Sequence, residues 1–359
     1  MKEREASKIA NVEKFARETA LKLVHVMFEN ASGTKEGADI EHLHDMRVAS
    51  RRLREALQLF QTFYSQKRRK KVLSQVRQVT RILGIPREMD VNVDLLGSYK
   101  PKGSALLFTA HEYLLEIFEF EQAKQRRRML KAFDKLDLKE LEAELVQFIQ
   151  VNSHSSPVPT LLAEADEASE ANSFLRQAAE TLQERAAPIV QFRARLLPLR
   201  YGNDEELHRL RISVKKCRYC LELLNPLYEG QLEKAIQLAK ELQEVLGKIH
   251  DYCVVIDRLC TQKLSLVKKS RFRLSKGCQK VIDDFGDTKR SLYPQVEPGH
   301  LAFMDELALQ LPERTEITTY SSEPATEAES IPSEQPAQSD GNSFNPKTAD
   351  LFALTPREE

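Results

Sequence analysis

Apolar residues along this chain recur every three or four positions, the period of one helix face. Between Ala6 and Asn30 they fall at Ile9, Val12, Ala16, Ala20, Leu23 and Met27. The period resumes over 39–64, after the loop Ser32-Gly33-Thr34-Lys35-Glu36-Gly37, and again over 66–83. Gly84 with Pro86 just beyond reads as a C-terminal stop. Further helices are expected at 87–96, 104–133 and 138–151, then at 173–199 with a kink at Pro188, at 204–224, at 231–246 and on to about 309. The run from Asn152 to Thr160, with Pro157 and Pro159, reads as a linker. No window alternates apolar and polar long enough to make a strand. The pattern predicts an all-α chain with two helical bundles, about 6–151 and 161–310.

Composition supports this. Of 359 residues only 12 are Gly and none is Trp, while straight-chained helix formers abound. No apolar run approaches the ~18 residues of a membrane span, and Met1-Lys2-Glu3-Arg4-Glu5 lacks the apolar centre of a signal peptide. Five cysteines, an odd number in a helix-rich chain, fit reduced thiols and a cytoplasmic location. Cys217 and Cys220 stand one helical turn apart, but Cys217 falls on the apolar face and no second pair completes a zinc set, so both read as core.

The charge is 54 bases against 54 acids, but it is unevenly placed. Residues 313–359 hold ten acids and three bases, which leaves residues 1–312 at +7. That stretch also carries five prolines and many Ser and Thr, and reads as a disordered acidic tail. Its Phe344, Leu351, Phe352 and Leu354 offer a small docking patch for a protein partner. Its acids could also shield a basic surface. From His44 to Arg81 there are eleven bases and only Asp45 and Glu55 as acids.

One motif occurs twice. His44-Asp-Met-Arg47-Val-Ala-Ser-Arg51-Arg52-Leu-Arg54 and His208-Arg-Leu-Arg211-Ile-Ser-Val-Lys215-Lys216-Cys-Arg218 both read H-x2-R-x3-[RK]-[RK]-x-R. Downstream, Leu83-Gly84-Ile-Pro-Arg87-Glu88 is matched by Leu246-Gly247-Lys-Ile-His250-Asp251. The offsets are 164 residues at the histidines and 163 at the glycines, so order and spacing both recur. An internal duplication explains this.

At about 100° per residue, His44, Arg47, Arg51 and Arg54 share one stripe of a helix about 80° wide, and Met46, Leu53, Leu57 and Phe60 lie opposite. Arg211, Lys215 and Arg218 repeat the stripe, and Lys67, Lys70, Arg77 and Arg81 form a similar row on the next helix. A basic run is usually just a solvated helix face. Against that, neighbouring like charges cost roughly 0.2–0.5 kcal/mol per pair, few acids relieve them, and the arrangement occurs twice. Uncompensated cation rows suit a polyanion whose phosphates supply the missing charge.

On these paired motifs, with Tyr219 and Asp251, the chain resembles the CHAD domain, the conserved-histidine α-helical domain family, over about 6–310. Pro86-Arg87-Glu88 departs from the Arg-Asp pair common at that point. The resemblance implies two pseudo-symmetric four-helix bundles with a basic channel between them, binding of inorganic polyphosphate, and association with polyphosphate granules. Many members are joined to a CYTH triphosphatase domain, whose acidic β-barrel pattern is not seen here, so binding rather than catalysis is expected of a stand-alone member.

The candidate binding residues are His44, Arg47, Arg51, Arg52, Arg54, Lys70, Arg77, Arg81, His208, Arg211, Lys215, Lys216, Arg218 and Lys240. No catalytic residue, metal ligand or cofactor is assigned. Arginine suits the task because its planar fork meets two phosphate oxygens. His44 and His208 could donate hydrogen bonds and gain a proton beside phosphate. Affinity should fall steeply with salt as counterions are released. The runner-up ligand is nucleic acid, although no aromatics interleave with the rows for base stacking. A metal-dependent phosphohydrolase built on His44-Asp45 and His250-Asp251 is the third reading. Arg209 replaces Asp45 in the second copy, and the adjacent arginines would repel a divalent cation.

Overall fold

Asp39 starts the helix that carries the first motif: its side chain accepts the backbone N–H of Glu41 at 2.9 Å, satisfying one donor of the first turn. In this computed structural model, which describes residues 2–151, 167–196 and 202–310, every regular element among the described residues is helical. In order these are α1 (Lys2–Glu29), α2 (Ala31–Glu36), α3 (Ile40–Leu59), α4 (Gln66–Ile82), α5 (Gly84–Ser98), α6 (Ala105–Asp134), α7 (Leu138–Val151), α8 (Glu167–Leu196), α9 (Asp204–Leu224), α10 (Glu233–Lys268), α11 (Phe272–Leu292) and α12 (Val296–Gln310). The chain is all-α, as its periodicity predicts. The segments 152–160 and 313–359, read above as linker and acidic tail, lie outside the described residues.

Apart from the short α2, the helix order α1, α3 to α7 is followed by α8 to α12 in the second half, with one difference among the described residues. The stretch 66–98 is two helices, α4 and α5, whereas its counterpart is the single long helix α10. Pro86 accounts for the break: it has no N–H to give the carbonyl of Ile82, and its ring excludes that carbonyl. The stop falls where expected, and helix restarts at once at Gly84, ahead of the start expected at Arg87. In the second half Ile249 stands where Pro86 does, and the helix runs on to Lys268, well past the end expected at Leu246. Gly247 alone costs about 1 kcal/mol. That is too little to stop a helix packed against α9, α11 and α12.

Helices in matching places meet: α1 packs on α8, α3 on α9 and α6 on α11. Two hydrophobic cores result. The larger joins α1, α3, α4, α7, α8, α9, α12, the end of α6 and the first part of α10; its largest enclosed side chains include Leu53, Leu57, Phe60 and Phe133. Each such side chain contributes roughly 1.5–3 kcal/mol by leaving water. The smaller joins α5, α6, α11 and the second part of α10 around Met89, Leu114, Val255, Leu259 and Phe285. Both cores draw on both halves of the chain. In the smaller one α6 and α11 approach closely at Gly277, where a Cβ would stand 2.4 Å from the Ala110 Cβ and 3.0 Å from the Leu106 carbonyl oxygen.

Polar ties fix the motif helices. Arg185 of α8 donates to Glu55 at 3.1 Å and Gln58 at 2.9 Å, both on α3. Asp204, in the first turn of α9, accepts from buried Lys289 at 2.8 Å and from the Tyr293 hydroxyl, a carboxylate placed where the helix dipole favours it. Ahead of α3, α2 ends at Gly37 with φ 71°, and Arg126 caps its free carbonyls of Thr34 and Lys35 at 3.0 Å each.

Candidate anion-binding cavity

Helices α3 and α9 each bury an apolar face, Leu43, Met46, Leu53 and Leu57 on one and Leu207, Leu210, Val214 and Leu221 on the other. Packing against each other, they bring their basic faces to a shared cavity of about 570 Å³. From α3 come His44, Asp45, Arg47, Arg51 and Arg52; from α5 Gly84, Arg87, Glu88 and Asn92; from α9 Arg211, Lys215, Arg218 and Tyr219; from α10 Gln243, His250 and Asp251. Six arginines and one lysine thus face one space.

Their charge is poorly compensated. Arg87 reaches Glu41 at 3.7 Å, and Arg52 and Arg218 share Glu222 at 2.9 and 3.7 Å. Among the described residues, no carboxylate is in ion-pair range of Arg47, Arg51, Arg211 or Lys215. The Nε atoms of Arg47, Arg51 and Arg211 are enclosed without a hydrogen-bond partner. A buried donor left unmet costs about 1–3 kcal/mol. These guanidiniums are held in a state that an anion would relieve.

Protonation equilibria report the same strain. Burial, then the neighbouring charges of Arg51 and Arg211, brings Arg47 down to about 10. It remains a cation at neutral pH. Burial likewise lowers Arg51, and lowers Arg211 against the pull of Asp251. Lys215 yields furthest: burial, then Arg211, Arg51, Arg47 and Arg218, brings its ammonium to about 6. Arginine in such company keeps its charge, whereas lysine releases its proton.

A family model for the CHAD domain matches residues 18–260 of this chain. The chain belongs to the CHAD domain family. Its fold is similar to the crystal structure of the CHAD domain from the plant Ricinus communis, with a TM-score of 0.56 and 21% sequence identity over 81% of this chain and 91% of that one. It is also similar to PptA from Streptomyces chartreusis, with a TM-score of 0.51 and 13% identity over 82% and 99%. No curated protein matches the chain.

Within this CHAD domain the residues singled out from sequence separate into groups. His44, Arg47, Arg51, Arg52, Arg211, Lys215 and Arg218 line the cavity together. Arg54, half-buried, does not line the cavity and is lowered by burial and then by Arg77. Lys70, Arg77 and Arg81 are exposed on α4 and Lys216 is exposed on α9; none of them lines the cavity. Lys240 lines a neighbouring groove of about 480 Å³ with Lys22, Arg52 and Tyr219.

The histidines behave differently from one another. His208 stands behind the wall with its Nδ1 3.1 Å from Nδ1 of His250, which does line the cavity. One ring nitrogen donates and the other accepts, so this contact needs at least one neutral ring. Burial, then Arg211, His208 and Lys215, brings His250 to about 3. In the first copy Arg87 takes the place of His250, and burial followed by Arg87 lowers His44. Without an anion, both motif histidines are thus pushed towards the neutral form, the reverse of what phosphate would do.

Several lining residues were not among the sequence candidates. Arg87, His250 and Asp251 belong to the second part of the repeat and were signalled by it. Asn92 and Gln243 carried no signal. Asn92 is 1% exposed, and neither amide atom has a hydrogen-bond partner. The cavity also holds carboxylates. Asp251 is raised by burial against the pull of Arg211 and Lys215, and Glu88 is engaged by Arg258 at 2.5 Å. Cys217 and Cys220 are buried core thiols, Cys220 raised to about 12 by burial. No described helix is long and apolar enough to cross a membrane.

Proposed function

We propose that this protein binds inorganic polyphosphate in the basic cavity between α3 and α9. It acts as a binding module without hydrolysing the chain, and through it associates with polyphosphate granules in the cytoplasm. Membership of a family whose members bind polyphosphate-like ligands supports the ligand class. The observation that carries the reading is the set Arg47, Arg51, Arg211 and Lys215, three arginines and a lysine from two helices facing one cavity with no ion-paired carboxylate among the described residues. A linear chain of phosphates carries charge at close, regular spacing and has no bases to read, so charge and the guanidinium fork are the means of recognition.

In the bound state each guanidinium turns its unmet N–H groups to phosphate oxygens, and Lys215 regains its proton. Arg47→Ala/Arg211→Ala should lower affinity for long-chain polyphosphate on the order of a hundredfold. It should also flatten the slope of log affinity against log salt by more than 1. Calorimetric titration over a salt series measures both. Normal binding by this variant would reduce the cavity to solvated surface. Phosphate release from polyphosphate with Mg²⁺ or Mn²⁺ would overturn the non-catalytic part of the reading.

A further inference from the structure

The cavity and the neighbouring groove have a common wall. Arg52 and Tyr219 line both, and Glu222, which lines the groove, ties Arg52 to Arg218 of the cavity. The two guanidiniums lie over the Tyr219 ring at 5.7 and 5.1 Å from its centre, with the buried ring as their floor. Further in, Arg47, Arg51, Arg211 and Lys215 have no ion-paired carboxylate among the described residues, so Glu222 neutralises just the two arginines at the junction. The feature belongs to one copy only. At the matching place in α3 stands Gln58, which accepts from Arg185. Beyond the junction the groove presents Lys22 from α1 and Lys240 from α10.

Resting on the polyphosphate reading, we propose that Glu222 is an internal counter-ion that closes the junction, and that a long polyphosphate chain displaces it and continues into the groove towards Lys22 and Lys240. A short chain fits among Arg47, Arg51, Arg211 and Lys215 and leaves Glu222 in place. A longer one reaches Arg52 and Arg218, where its phosphate oxygens replace the Glu222 carboxylate in kind. Glu222 therefore sets a threshold: the added contacts must outweigh the lost ion pairs before the chain extends. The groove's second acid, Glu233, accepts from the Asn225 amide at 3.1 Å, and its charge is a repulsion that Lys22 and Lys240 must offset.

The test is titration of the full chain with tripolyphosphate and with long-chain polyphosphate, using wild type, Glu222→Gln and Lys22→Ala/Lys240→Ala. Glu222→Gln keeps the side-chain shape, and its melting curve confirms the fold. It should bind the long chain about tenfold more tightly, with a smaller gain for tripolyphosphate. The lysine variant should lower the ratio of long-chain to tripolyphosphate affinity several-fold. Long-chain affinity unchanged or weaker in Glu222→Gln, or an unchanged ratio in the lysine variant, overturns the extension while leaving cavity binding intact. Wild type that binds neither probe overturns both.

Discussion

The two copies of the motif spell nearly the same pattern but do not make the same site. In the first, His44 faces Arg87, the row is arginine throughout, and Arg54 ends it beside Arg77 with no acid in pairing range among the described residues. In the second, His208 is matched with His250, a lysine takes the place of Arg51, and Arg218 ends the row against Glu222. The first copy is a fixed block of charge. The second is adjustable: its lysine can lose a proton and its terminal arginine has an internal partner. A repeat preserves the direction in which side chains point, whereas the neighbours they meet set their charge.

The largest effect should come from removing matched positions in both copies. Arg51→Ala/Lys215→Ala is expected to weaken polyphosphate binding on the order of a hundredfold or more, while Arg77→Ala/Arg81→Ala on the outer face of α4 changes it under about threefold. Equal losses by calorimetry would erase the distinction between cavity and outer row.

Next is pH. Lys215 is neutral in the empty protein above about pH 6 and protonated beside phosphate, so binding takes up a proton. Affinity should therefore fall as pH rises from 6 to 8, by at most about tenfold per unit. Lys215→Arg, whose charge persists, should flatten the profile and bind more tightly at pH 8. A wild-type profile that is already flat would contradict the depressed ammonium.

Stability follows from the same group with its sign reversed. Between about pH 6 and 10 the unfolded chain carries a proton on Lys215 that the empty folded protein lacks. This contribution therefore destabilises the fold progressively as pH drops through that window. Lys215→Met should raise the melting temperature of the empty protein at pH 7 by roughly 2–4 °C, while weakening binding. A lower melting temperature would mean that the lysine is accommodated without strain.

The smallest effect contrasts the broken helix with the continuous one. An added Cβ meets nothing within 4 Å at either Gly84 or Gly247. Gly247→Ala, inside α10, should stabilise by about 0.5–1 kcal/mol in urea unfolding. Gly84→Ala, at the first position of α5, should do less.

The helices and their apolar faces were legible because a 3.6-residue period shows in the sequence whatever the partner is. So were the cation rows of α3 and α9. The row on α4 looked equivalent, since a helical wheel shows that Arg77 and Arg81 point away from the core but not that α9 faces the row on α3 while the row on α4 stays exposed. Asn92 was invisible for the same reason: its place in the cavity wall comes from how α5 packs after the break at Pro86. Glu222 lay in plain view, yet its role depends on Arg52 arriving from a helix 170 residues away.

The central claim is that matched cations of two helices create one site for a chain of phosphates. Competition between long-chain polyphosphate and RNA at equal phosphate concentration, over a salt series, tests it most directly when wild type is compared with Arg47→Ala/Arg211→Ala. The account predicts that wild type prefers polyphosphate at every salt concentration and that the variant loses that preference. Preference for RNA, or a variant that discriminates as wild type does, would contradict it.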